Sequence, residues 1–307
     1  MSRVQQTPPR LRLISTHESP QVPADHAAAT AFHPDWSRIL RDITCCGVVR
    51  LQVGNDCARL SSMAEPWSAE VHGRAAWLDG PGLAIAGLTD RWVLAGISQG
   101  PCSECYTNLD ICDSLGQRVL RVSLNEDSNW THFSAGLVRQ WAEHRASPCS
   151  PGQGGLQHDL DQLQQRTNFG PVGALHECWY DAARDHRIGD PVDPPLLAPL
   201  LETLSDQACP LNVIIGNCGL IQQYGIPYFE LHQRSSLLRL RSGVSELELD
   251  LYGITEARVT RGSRPFVAPW IRLYNAQGRC VVGLGLASDA EHADRDLWQI
   301  MLSALRD

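Results

Sequence analysis

The chain has 307 residues, 34 acidic and 26 basic, for a net charge of −8, and every basic residue is arginine. An acidic chain without a basic run argues against a nucleic-acid backbone binder, and the lack of lysine removes Schiff-base chemistry. No stretch approaches about 18 consecutive apolar residues, so no membrane-spanning helix and no membrane insertion are expected.

Residues 1–30 are rich in Pro, Ala and Gln and read as a flexible lead-in. They lack the apolar segment of a secretory signal, so a cytoplasmic location is expected. Cys45-Cys46 sits at a helix–strand junction. Residues 48–60 then read strand, Gly54-Asn55, strand, and Trp92–Ile97 reads as a further strand. Residues 109–124 form a second hairpin signature around Gly116, because a turn glycine supplies positive φ and the flanks alternate. Residues 128–145 place Phe133, Leu137, Val138 and Trp141 on one helical face. Residues 146–156 are a Pro/Gly/Ser linker, and the stretch to Leu211 reads as helical, notably 195–208 after Pro194-Pro195.

The same order then repeats. Gly216-Asn217 in the hairpin of 210–222 lies 162 residues after Gly54-Asn55. Gly278 in the hairpin of 271–286 lies 162 residues after Gly116. Between them Leu237–Arg241, Glu246–Leu251 and Ala257–Arg261 read as strands. Residues 288–307 close the chain as a helix, with Ser288 and Glu291 in a capping-box pattern and an apolar face of Leu297, Ile300, Met301, Ala304 and Leu305. Antiparallel hairpins followed by helices predict an α+β fold: two tandem copies of a domain with a large antiparallel sheet and flanking helices. The expected division is a flexible segment over 1–30, a first repeat over 31–147, and linker helices with a second repeat over 148–307.

Nucleotide-binding, hydrolase and metalloprotease signatures are missing. The eleven cysteines are an odd set, several of them inside apolar runs, as Cys112 and Cys280 are. They read as buried reduced thiols of a cytosolic protein. Cys102 and Cys105 supply half of a zinc spacing and no second half. The eleven histidines are scattered, with His158, His176 and His186 in the inter-half segment.

Gly216-Asn217-Cys218-Gly219-Leu220-Ile221-Gln222 resembles the G-N-x-G-x-I-Q motif of the HemS-type haem-utilisation family, also called haemin-degrading factors. Pro191-Val192-Asp193-Pro194, Ile254–Val259 and the hairpin through Asn275–Gly278 extend the resemblance over roughly 155–307. Thr89-Asp90-Arg91-Trp92 and the Gly116 hairpin extend it more weakly over 38–145. The family is itself a tandem duplication. The resemblance implies haem as ligand, His158 as axial iron ligand (with His176 and Tyr224 as alternatives), and Arg91 on the opposite side. It implies a haem-binding protein for haem trafficking or utilisation, with reductant-dependent oxidative degradation left open. A haem importer, a haem-accepting protein and a second copy in a homodimer are the partners it suggests. The ligand is expected in an apolar cleft between the halves. The chain departs from the family at Gln223-Tyr224-Gly225 and Leu247-Glu248-Leu249, where histidines are usual. Two rival readings therefore stand: a duplicated binding or regulatory module that has lost haem, and a thiol or metal-handling protein.

Overall fold

A computed structural model of the chain describes residues 35–99, 107–124, 128–129, 189–260 and 269–305. The lead-in, Cys102 and Cys105, the helix expected over 130–145, the linker and His158, His176 and His186 lie outside the described residues.

Asp35 opens the first helix, Trp36–Thr44 (α1), its carboxylate accepting from the Arg38 N–H at 3.2 Å. Val49–Gly54 (β1) and Ala58–Ala64 (β2) form the first hairpin. Ser68–His72 (β3), Ala75–Gly80 (β4) and Leu83–Leu88 (β5) follow, then Val93–Gln99 (β6), Thr107–Cys112 (β7) and Arg118–Leu124 (β8). The second half runs Asp190–Val192 (β9), Leu197–Asp206 (α2), Leu211–Gly216 (β10), Leu220–Ile226 (β11), Glu230–Arg234 (β12), Leu237–Ser242 (β13) and Ser245–Asp250 (β14). It ends in Ile254–Val259 (β15), Ile271–Asn275 (β16), Cys280–Leu286 (β17) and His292–Ala304 (α3).

The expected hairpins and strands are all present, with three shifts at their ends. Trp92 precedes β6 and turns into the core. Leu251 leaves β14 for a 3-10 turn, because the Asp250 carboxylate caps the Tyr252 N–H at 3.0 Å. The strand expected over Ala257–Arg261 starts earlier, at Ile254.

Duplication is visible strand by strand. Val49 pairs with Ala64 and Leu124, and 162 residues on Leu211 pairs with Ile226 and Leu286. Both β7–β8 and β16–β17 carry an irregularity at the same place, before the Cys112↔Arg118 and Tyr274↔Cys280 pairs. Helices α1 and α2 bury the same i, i+3, i+4, i+7 set: Trp36, Ile39, Leu40, Ile43 and Leu197, Leu200, Leu201, Leu204. The α+β fold of two antiparallel-sheet copies is therefore present as expected.

The copies exchange strands. One sheet has the order β12-β13-β14-β2-β1-β8-β7-β6, the other β3-β4-β5-β11-β10-β17-β16-β15-β9. The first joins three strands of the second copy to five of the first, and the second joins three of the first to six of the second, along antiparallel β14–β2 and β5–β11 pairings. The inner faces meet in one core, with Val49, Leu51, Leu60 and Leu247 of the first sheet and Ile85, Leu211, Val213 and Leu220 of the second all buried.

One correction concerns α3. Its N-cap is Glu291, not Ser288, and the Asp294 carboxylate accepts from the Glu291 N–H at 3.0 Å. Leu297, Met301 and Leu305 of the expected face pack against the core beside the fully buried Trp298 and Leu302, while Ile300 is 65% exposed. The Trp298 indole fixes this register by donating to the Pro269 carbonyl at 3.0 Å.

Candidate functional site

The two halves meet at the tips of their first hairpins, and an asparagine at each tip makes the joint. The Asn55 side-chain amide donates to the carbonyls of Gly216 and Val281 at 2.9 and 2.8 Å. Its oxygen accepts from the N–H groups of Cys57 and Ala58. Asn217 does the same in reverse, donating to Gly54 and Val119 at 3.2 and 2.8 Å and accepting from Gly219 and Leu220. A residue expected only to shape a turn also satisfies two carbonyls of the other half.

Arg91 lies beside this joint, in the 3-10 turn Thr89–Arg91 after β5. Its side chain is exposed, and Nη1 donates to the Cys218 carbonyl at 2.9 Å. Trp92, the next residue, is 1% exposed and its Nε1 donates to the Gly219 carbonyl at 2.8 Å. The ring packs edge-on against Trp36, with centroids 5.2 Å apart. Two glycines make room for it. A Cβ on Gly87 would lie 2.0 Å from Trp92 Cζ2, and one on Gly219 would lie 3.2 Å from Nε1. Cys218 is held from the other side, its thiol donating to Asp113 Oδ2 at 3.1 Å. Asp113 in turn caps the β7–β8 turn through Leu115 and Gln117.

Tyr224 is half-buried between the sheets, its hydroxyl 3.0 Å from Ser245 Oγ and 3.4 Å from the Met63 carbonyl. That hydroxyl is engaged in joining β11 to the facing sheet. His158 and His176 lie outside the described residues. The inner faces of the two sheets pack against one another in one core.

The outer faces differ chemically. On the first sheet, Arg50, Gln52, Arg59, Ser61, Arg241 and Glu246 line a surface cavity of about 390 Å³. Cross-strand ion pairs largely neutralise it: Arg241 to Glu246 at 2.7 Å, Arg239 to Glu248 at 2.9 Å, and Arg59 to Glu248. The corresponding positions of the second sheet are Asn212, Ile214, Ile221, Gln223, Asp79 and Ala84. Beside them Ala75, Trp77 and Ala86 make a separate buried apolar cluster. Further along that sheet Trp270 lies over Gly285, where a Cβ would come within 2.6 Å of the indole. On this second face Ile214, Ile221, Trp77, Ala86 and Trp270 are all buried.

The described cysteines are all free thiols, and Cys46, Cys57, Cys112, Cys209 and Cys280 are buried. Burial pushes Cys46 up to about 12 and Cys57, Cys112 and Cys209 to about 11. Cys218 rises to about 12 through burial first and then its hydrogen bond to Asp113. Thiols held protonated in this way are poor nucleophiles and metal ligands. Among the described residues, no three His, Cys, Asp or Glu side chains converge as a metal site. No described helix is long and apolar enough to cross a membrane.

No protein-family model and no curated protein matches the chain. Solved structures do. The crystal structure of ChuS, an E. coli heme oxygenase, is 17% identical with a TM-score of 0.67, over 90% of this chain and 88% of that one. Holo-PhuS, a heme-binding protein from Pseudomonas aeruginosa, is 18% identical with a TM-score of 0.66, over 87% and 85%. Apo-PhuS gives 18% and 0.65 over 89% and 86%. The chain therefore has the fold of ChuS and PhuS along most of its length, which is the fold that the Gly216–Gln222 motif and the two repeated hairpins led us to expect.

Proposed function

We propose that this chain is a cytoplasmic haem-binding protein of haem utilisation. The observation that carries the reading is its fold, shared over nearly nine-tenths of the chain with a heme oxygenase and a heme-binding protein. His158 supplies the axial imidazole, a strong neutral ligand for iron once its other nitrogen has a hydrogen-bond partner. Arg91 serves the opposite side. Its exposed guanidinium suits a propionate or an oxygen atom near the iron. Tyr224 fits a ligand role poorly, since its hydroxyl is engaged between the sheets.

In this reading the protein takes haem from an importer and passes it to a haem-accepting protein. When haem is bound, iron and porphyrin supply any oxidative chemistry, with an external electron donor. The test is a haemin titration of the purified protein by visible absorption. A saturable Soret shift at one equivalent supports the reading, and a linear, non-saturating response defeats it. Ascorbate added to the complex in air then separates degradation, with loss of the Soret band, from carriage, with the band intact.

A further inference from the structure

The joint between the halves is built twice, but one of its parts is built once. Asn55 and Asn217 make matching sets of bonds at the two tips. The positions 162 residues after Arg91 and Trp92 are Gly253 and Ile254, and those 162 before Cys218 and Gly219 are Asp56 and Cys57. At the second tip the Cys57 thiol donates to the Gly253 carbonyl at 3.3 Å, so a small side chain closes the gap there. At the first tip an indole closes it, and a guanidinium follows the same path to the adjacent carbonyl. Joining the halves does not require this pair, because the duplicated joint without it also closes.

From this geometry we infer that Trp92 is the positioning residue for Arg91. The inference rests on the haem reading for its purpose, though not for its geometry. Consecutive residues of the first half donate to consecutive carbonyls of the second. Trp92 is rigid: 1% exposed, packed edge-on against Trp36, and seated in a notch that Gly87 and Gly219 leave open. Arg91 is exposed, and a long exposed side chain loses much rotamer freedom when it is held in one place. The indole bond to the Gly219 carbonyl holds the backbone at residue 92 and the Gly219–Leu220 peptide, next to the Cys218–Gly219 peptide whose carbonyl accepts from Arg91. Those two adjoin the base of the Arg91 side chain and its acceptor. The Cys218 thiol bond to Asp113 holds the same turn against the first half. The guanidinium is thereby preorganised at one tip of a duplicated molecule.

The experiment removes the indole donor and keeps the ring. Benzothienylalanine replaces Trp92 by amber suppression, as an isostere lacking the N–H, and Trp92→Phe is the second variant. In the ligand-free protein, the Arg91 Nε–Hε resonance is identified by its loss in Arg91→Lys and followed by NMR. We expect it to move toward the position and exchange rate of a solvated arginine in both Trp92 variants, with the fold intact by circular dichroism. In the haem-loaded protein, the pH at which the ferric spectrum changes should shift as it does in Arg91→Ala. The double variant should shift no further than Arg91→Ala alone. An Arg91 resonance unchanged in the isosteric variant overturns the inference. So does a spectral shift that adds to that of Arg91→Ala. If the parent protein takes up no haem, the haem reading fails, and the resonance alone still decides whether Trp92 positions Arg91.

Discussion

Cys46 is fully buried beneath α1, its thiol donating to the Asp42 carbonyl at 3.2 Å, while Cys45 beside it is exposed. Burial, then Cys45 and Asp42, raise Cys46 to about 12. Iodoacetamide at pH 8 should therefore modify Cys45 and spare Cys46, as read by peptide mass mapping; equal labelling of both would contradict the burial. A second residue-scale expectation concerns the asparagines. Alanine at position 55 or 217 removes four hydrogen bonds, two of them crossing the halves, and should cost about 2–3 kcal/mol in urea unfolding. The two losses should be similar, since the sites match; a loss within about 0.5 kcal/mol of zero at either would show that the joint does not depend on it. The turn role of each asparagine was legible in the sequence because Gly-Asn chemistry is local. The reach to Val119 or Val281 was not, because those carbonyls are distant in sequence. Trp92 was missed as a site residue for the same reason.

Hairpins were the legible elements. Asp113 and Asn275 each cap their own turn, and Gly116 and Gly278 hold φ of 76° and 72°. All of that lies within five residues. By contrast β3, β4 and β5 went unread. In β4 nearly every residue is buried, so apolar and polar positions do not alternate. Helix α3 was legible in existence and in most of its apolar face but not in its start, because two N-cap candidates, Ser288 and Glu291, stand three residues apart. The burial of Trp298 makes a prediction: Trp298→Ala should cost about 3–5 kcal/mol, while Ile300→Ser should fall within about 0.5 kcal/mol of the parent. The reverse order in thermal or urea unfolding would put Ile300 in the core, as expected from the sequence.

At the scale of the whole molecule the strand exchange dominates. Strands β3–β5 of the first copy hydrogen-bond to β11 of the second, and β12–β14 of the second to β2 of the first. Residues 31–147 expressed alone should therefore give no cooperatively folding monomer, and the full chain should unfold in one transition; a folded monomeric half with sharp unfolding would contradict the shared sheets. The tandem repeat could be read from 162-residue spacings, but nothing local in either copy says which copy a strand pairs with. The buried thiols set a pH limit for this common core. Each of Cys46, Cys57, Cys112, Cys209 and Cys218 titrates above the ordinary 9.0 when folded. The folded state then holds protons that the unfolded chain releases, so their contribution is complete below pH 9 and falls as pH climbs toward 11–12. Urea midpoints measured from pH 8 to 11 should decline on that limb, and a flat profile would contradict the burial of these groups.

We propose that this duplicated fold holds haem through His158 with Arg91 opposite. This is tested most directly by titrating haemin into the parent protein, His158→Ala and Arg91→Ala side by side. The parent should show a saturable Soret shift at one equivalent, His158→Ala a displaced or lost band, and Arg91→Ala binding with an altered ferric spectrum. A parent without saturable binding, or a His158→Ala protein whose spectrum matches the parent, would contradict it.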